Sequence, residues 1–170
     1  MDASTEMLHR AREVAASVVD PELPMLTLAD LGVLREVSVD GDGSVVVAIT
    51  PTYLGCPALD VMRDDLVRRL GEAGFADVRV RVTLHPGWSS DDITERGRAA
   101  LRRAGISAPG PVARPSGPVP LSLGPVRRRV GCPRCGSART TLVSAFGTTA
   151  CRALYRCGDC AETFDHLKEH

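Results

Sequence analysis

Two C-x-x-C pairs, Cys132-Pro-Arg-Cys135-Gly and Cys157-Gly-Asp-Cys160, lie with residues 136–156 between them. Each pair can present two thiolates from one tight turn. Glycine in or after the turn lets backbone amides point at sulfur. Two such knuckles supply four soft ligands to one tetrahedral ion. A structural zinc is the leading reading. An iron–sulfur cluster takes the same ligand set, and disulfide pairing is the remaining alternative. Residues 140–143 and 154–156 read as ribbon strands that bring the knuckles together. So short a segment buries too little surface to fold alone. Its folding is therefore expected to depend on metal, which contributes an apparent ~10–16 kcal/mol in zinc peptides. Cys151 is a fifth thiol in this region. It reads either as a small buried ribbon residue or as an accessory thiol.

The sixth cysteine stands apart, in Thr50-Pro-Thr-Tyr-Leu-Gly-Cys56-Pro57. Pro57 suits the first position of a helix, where its missing N–H is no loss. That places Cys56 at the N-cap, facing free amides and the positive end of the helix. Both favour thiolate and a pKa below that of a free thiol. Gly55 lets the chain turn and leaves room near the sulfur, and Thr50 and Tyr53 can add hydroxyl donors. The plain alternative is that Cys56 fills a tight corner. Asp20 and Glu22, in Asp20-Pro-Glu-Leu-Pro24, read as turn and capping residues or as oxygen ligands beside Cys56. His9, His85, His166 and His170 have no ligand-like spacing. No histidine base lies near Cys56 in sequence, so a Cys/His nucleophile pair has no support, and no independent enzyme activity is expected.

The elements that must position these residues follow from periodicity. Leu8, Ala11, Val14, Ala15 and Val18 recur at helical spacing over residues 5–18, and Pro21 and Pro24 stop the helix. Residues 26–31 read as a short helical turn. Residues 33–40 and 44–50 alternate around Gly41-Asp42-Gly43 as a hairpin. Residues 57–73 form a helix with a Leu59, Met62, Leu66, Leu70 stripe. Residues 78–84 form a strand with one wet face, and residues 91–104 a last helix. The class is α+β, a small mixed sheet with helices in αββαβα order. Residues 1–106 make this domain. Residues 107–128 are a Pro/Gly-rich linker, and residues 129–170 a β-rich zinc ribbon.

The chain has 170 residues, with 21 basic and 21 acidic side chains. Net charge announces no polyanion-binding surface. Arg127-Arg128-Arg129 is a basic triplet, but stacking aromatics are scarce, so a nucleic-acid-binding regulator is the least favoured binding reading. The start, MDASTEMLHR, lacks the order of a secretory signal. No apolar run reaches the ~20 residues of a membrane span. The expected compartment is the cytoplasm, where thiols stay reduced.

The segments Asp20-Pro-Glu-Leu-Pro24, Thr27-Leu-Ala-Asp-Leu-Gly32 and Thr50-Pro-Thr-Tyr-Leu-Gly-Cys-Pro57 resemble the iron–sulfur cluster assembly domain of the SufT type. The ribbon motifs, with Phe146-Gly-Thr-Thr-Ala-Cys-Arg-Ala-Leu-Tyr-Arg-Cys157 and Cys160-Ala-Glu-Thr-Phe-Asp165, narrow the resemblance. The whole is similar to the family of D components of bacterial ring-1,2-phenylacetyl-CoA epoxidase (phenylacetate-CoA oxygenase) systems. The likeness spans nearly the whole chain except the linker. It implies a place in aerobic phenylacetate catabolism beside oxygenase and reductase subunits that hold the redox chemistry. It implies no epoxidation site here, but an accessory subunit that assists iron or cluster maturation. Transient metal contact by Cys56, Asp20 and Glu22 follows from it. The alternative is a structural, non-catalytic subunit of the complex. Leu54 departs from the serine usual before Gly-Cys-Pro, which removes one hydroxyl near the thiol, and Arg152 stands where lysine is common.

Overall fold

Among the described residues, two sheets of three strands each carry the fold, and a separate reason builds each. The computed structural model describes residues 3–53, 55–112 and 129–169. The expectations for Leu54, for His170, for Arg127 and Arg128, and for the linker beyond residue 112 lie outside the described residues. The chain divides into two units, Met1–Ala100 and Leu101–His170.

The first unit opens with helix α1, Ala3–Ala16. Ala11, Ala15 and Val18 are buried at helical spacing, as the periodicity requires. After it the chain folds back on itself. Asp20 N–H donates to the Leu26 carbonyl, and Leu28 N–H to the Val18 carbonyl. Residues 26–31 form turns rather than a helix, and Leu26, Leu28 and Leu31 are all buried. Strands β1, Leu34–Val39, and β2, Val45–Ile49, pair antiparallel. Asp40 N–H closes the hairpin onto the Ser44 carbonyl, and the Asp42 carboxylate accepts from Ser44 N–H.

Helix α2, Leu59–Glu72, then crosses over, and strand β3, Val78–Val82, returns parallel to β2. Such a connection needs a dozen or more residues, which α2 supplies. Met62, Leu66 and Leu70 form its buried stripe, and Leu59 is half-buried. The helix ends in a Schellman motif: Phe75 N–H donates to the Leu70 carbonyl and Gly74 N–H to that of Gly71. A 3₁₀ turn at Ser90–Asp92 precedes helix α3, Glu95–Arg103. The helix expected over residues 91–104 is thus split. Ser89 and Asp92 form a capping box that closes the first turn. The order αββαβα holds.

The second unit pairs β4, Thr140–Ser144, with β5, Arg152–Cys157, and β5 with β6, Thr163–Leu167, all antiparallel. The strand β6 goes beyond the two ribbon strands expected. Ser107, assigned to the linker from sequence, lies beside β6: its N–H donates to the Asp165 carbonyl and its carbonyl accepts from Leu167 N–H.

Candidate metal centre and thiol loop

The ribbon's two knuckles are built by backbone geometry. Gly136 follows Cys135 at φ +73°, and Ala161 follows Cys160 at φ +61°. That left-handed step suits glycine and is uncommon for alanine. It turns amides toward sulfur. Asp159 N–H lies 3.4 Å from Cys157 Sγ, and Ser137 and Glu162 offer backbone donors to Cys135 and Cys160. Across the gap, Arg134 pairs with Glu162 at 2.5 Å, and Asp159 takes both Arg139 and Ser137. These contacts hold the two knuckles face to face.

The result is one tight group of sulfurs. Cys132, Cys135, Cys157 and Cys160 bring their Sγ atoms within 4.8 Å of one another. Cys132 to Cys160 is 3.7 Å and Cys135 to Cys157 is 3.6 Å. A zinc ion with Zn–S bonds of about 2.3 Å makes a tetrahedron with edges of about 3.8 Å. The four residues therefore fit a single tetrahedral ion. None of the six cysteines is in a disulfide. The crowded sulfurs oppose one another's ionisation. The Ser137 amide draws the Cys135 pKa down, but burial and the other three sulfurs outweigh it and push it up to about 12. The Cys160 amide holds Cys157 below its ordinary value. Four thiolates so close need a positive charge among them. Cys151 lies outside this group. It is buried, and its Sγ is 3.1 Å from Thr149 Oγ1.

The thiol loop of the first unit connects β2 to α2. Here the structure corrects the sequence reading of Cys56. The helical ladder begins at Leu59, with Ala58 in the cap position and no side-chain cap. Cys56 is two residues upstream, in a turn whose Cys56 carbonyl accepts from Leu59 N–H. Pro57 is therefore not the first helical residue: this extra turn delays the helix. Gly55 has φ +90°, and a Cβ there would meet nothing within 4 Å. The positive φ makes glycine's conformational freedom the need at this position. Cys56 itself is buried, 9% exposed.

Asp20 is also buried. Its Oδ1 accepts from the amides of Glu22 and Leu23, at 2.8 and 2.7 Å. That is the geometry of a turn-capping carboxylate. Glu22 is half-buried on the same turn. Among the described residues, the ribbon cysteines form the group of three or more metal-binding side chains with ligand atoms inside 4.8 Å. Cys56, Asp20 and Glu22 do not form another.

Thr50 stands out at the head of the loop. It is 1% exposed, and its Oγ1 has no hydrogen-bond partner among the described residues. A buried unpaired hydroxyl costs about 1–3 kcal/mol. Thr50 lines a cavity of about 350 Å³ with Tyr53, His85 and Trp88. Trp88 is fixed there by its Nε1–H, which donates to the Leu31 carbonyl at 2.8 Å. Sequence reasoning set His85 aside for want of ligand-like spacing and did not reach Trp88, because both come from a loop over thirty residues away. Nor did it reach Asp30. That carboxylate accepts from Thr94 Oγ1, Arg96 Nε and Thr27 Oγ1 at 3.0, 2.7 and 3.1 Å, and so ties the start of α3 to the segment before β1.

Comparison with known proteins matches two separate stretches of the chain. Residues 10–82 match the family model for iron-sulfur cluster assembly proteins. Residues 116–168 match the PaaD zinc beta ribbon domain. A protein of Escherichia coli named as the D component of 1,2-phenylacetyl-CoA epoxidase is 41% identical over 95% of this chain and 92% of its own length. The Fe-S protein maturation auxiliary factor SufT of Staphylococcus aureus is 32% identical over 49% of this chain and 96% of its own. The crystal structure of a domain of unknown function, DUF59, from Bacillus anthracis superposes with a TM-score of 0.54 at 24% identity, covering 58% of this chain and 94% of that one. It shares the fold of the first unit. No described helix is long and apolar enough to cross a membrane.

Proposed function

We propose, from the premise that the chain belongs to the family of 1,2-phenylacetyl-CoA epoxidase D components, that it is a non-catalytic accessory protein of that system in phenylacetate catabolism. It works in the cytoplasm and assists iron or iron–sulfur maturation of the oxygenase or reductase subunits. The carrying observation is the union of two parts in one chain: a match to iron-sulfur assembly proteins over residues 10–82 and a four-sulfur metal centre in the ribbon.

The two parts divide the work. The ribbon's Cys132, Cys135, Cys157 and Cys160 hold a zinc ion, which closes the knuckles and supplies folding energy rather than chemistry. The thiol loop handles cargo. Cys56 offers one thiol, and Thr50 offers a hydroxyl, unpaired among the described residues, at the head of the same loop. Asp20 and Glu22 stand as further oxygen ligands that a movement of their turn would bring in. A ligand set that is incomplete at rest suits handing a metal on more than storing it, because the recipient's own ligands complete the coordination. Cys151 serves the ribbon as a buried packing residue.

The test is the iron and sulfide content of epoxidase subunits produced in the same cell with wild-type chain or Cys56→Ser. The variant is expected to leave them iron-poor. Full loading and activity with it would remove the proposal. The name of the Escherichia coli relative favours a second reading, a structural component of the complex. Stoichiometric co-purification with the other subunits, with iron loading indifferent to Cys56, is its signature.

A further inference from the structure

We infer that the ribbon carries a docking groove for an acidic, apolar-anchored extended segment of a partner protein. The inference rests on the maturation reading, in which the chain must meet a client protein, and it names the chemistry of that meeting. A groove of about 640 Å³ lies over one face of the second sheet. Leu142 on β4 is directly opposite Tyr155 on β5, and both line it together with Phe146. Leu142 is 50% exposed and Phe146 75% exposed. Apolar surface of this kind on a small module marks an interaction site.

Charge selects the occupant. Arg129 and Lys168 also line the groove, and no carboxylate does. Elsewhere on the ribbon Arg134, Arg139 and Arg152 are paired with Glu162, Asp159 and Asp165. Arg129 and Lys168 have no carboxylate partner among the described residues. Lys168 Nζ instead sits 5.0 Å from the Phe146 ring centroid and donates to the Ala150 carbonyl. Two cations without a carboxylate partner among the described residues, beside an apolar floor, complement a segment with an aliphatic or aromatic anchor and nearby Asp or Glu.

The other occupants fit less well. A second copy docked by a two-fold axis would set this basic groove against itself. Nucleic acid needs more phosphate contacts than two cations supply. A small ligand prefers a site that encloses it, whereas the side chains here stand largely open. The extended form follows from the sheet edges: Ser107 covers the outer edge of β6, while β4 is the edge without a partner strand among the described residues.

The experiment places a benzoylphenylalanine photo-crosslinker at position 146 of the full-length, zinc-loaded chain. It is irradiated with purified oxygenase and reductase subunits of the epoxidase from the same organism. The expected product joins the groove to one partner segment containing an apolar anchor flanked by Asp or Glu. A synthetic peptide of that segment should bind the wild-type chain and lose about tenfold or more in affinity to Phe146→Ser, and similarly to the double variant Arg129→Glu, Lys168→Glu. Zinc content equal to wild type certifies the ribbon of each variant, and Lys168→Gln replaces any variant that loses zinc. Cross-links only between copies of the chain, to a segment lacking carboxylates, or to none would overturn the inference. So would displacement of the peptide by a single-stranded oligonucleotide, or affinity unchanged in the variants. Cys56→Ser should bind the peptide as wild type does, so loss of iron loading and loss of docking are separately readable.

Discussion

The two units solve the same problem, holding a cysteine in place, by opposite means. In the first, Leu26, Leu28, Leu31, Ile49, Met62, Leu66 and Leu70 are fully buried, and the sheet, α1 and α2 close over them. That apolar burial stabilises the unit at about 25 cal/mol per Å² removed from water. In the ribbon, the core cluster is Val130, Cys132, Ala153, Tyr155, Cys157 and Phe164. Two of those six are sulfurs of the metal group, so the core and the metal centre are one object. The lesson concerns availability. Two ribbon cysteines are part of the ribbon's own core, whereas Cys56 stands apart from any such sulfur group among the described residues, and the proposed function assigns its thiol to cargo.

The contrast can be broken most directly by removing metal. Chelation, or Cys157→Ser, should remove the apparent ~10 kcal/mol or more that zinc contributes and unfold the ribbon. Amide NMR signals of residues 129–169 should collapse while those of the first unit persist. Collapse of both would show that the units do not fold separately. The reverse perturbation is Leu66→Ala, which opens a cavity under α2 and should cost about 2–5 kcal/mol in the first unit, read by denaturant melts, with zinc content unchanged.

A smaller effect sits at Asp30. Burial tends to raise its pKa, but hydrogen bonds from Arg96, Thr94 and Thr27 outweigh it and hold it below the ordinary 3.8. The stability it contributes is therefore present in full above that value and is lost as pH falls through the lower folded value. Asp30→Ala should destabilise the first unit by about 1–3 kcal/mol at neutral pH. Acid titration below about pH 4 should weaken wild type more steeply than the variant. The smallest change in stability is expected for Cys56→Ser, about 1 kcal/mol or less. Iron loading of the client should nevertheless fall most with this variant, and that mismatch between fold and function sharpens the contrast.

Much of the metal centre is legible in the sequence. C-x-x-C spacing dictates which four sulfurs can share an ion, because each pair is fixed within one local turn. The αββαβα order was legible too, since Val alternation and the Met62, Leu66, Leu70 stripe are local periodicities. The capping role of Asp20 was one of two readings open to the sequence, and its carboxylate accepts from the amides of Glu22 and Leu23 as that role requires. The position of Cys56 misled, because Pro57 fits a first helical residue equally well two residues early, and only the observed ladder from Leu59 shows where the hydrogen bonds begin.

What the sequence determined by itself was everything fixed by neighbours within a turn or a strand: the knuckle ligands, the hairpin, the helical stripes and the change of composition after residue 106. Tertiary structure alone decided the parallel return of β3, the third ribbon strand, the pairing of Asp30 with residues 64 and 66 positions away, and the cavity that joins Thr50 to Trp88. These depend on which distant surfaces bury each other. That choice is made by the packing of the whole chain, and no short window of residues records it.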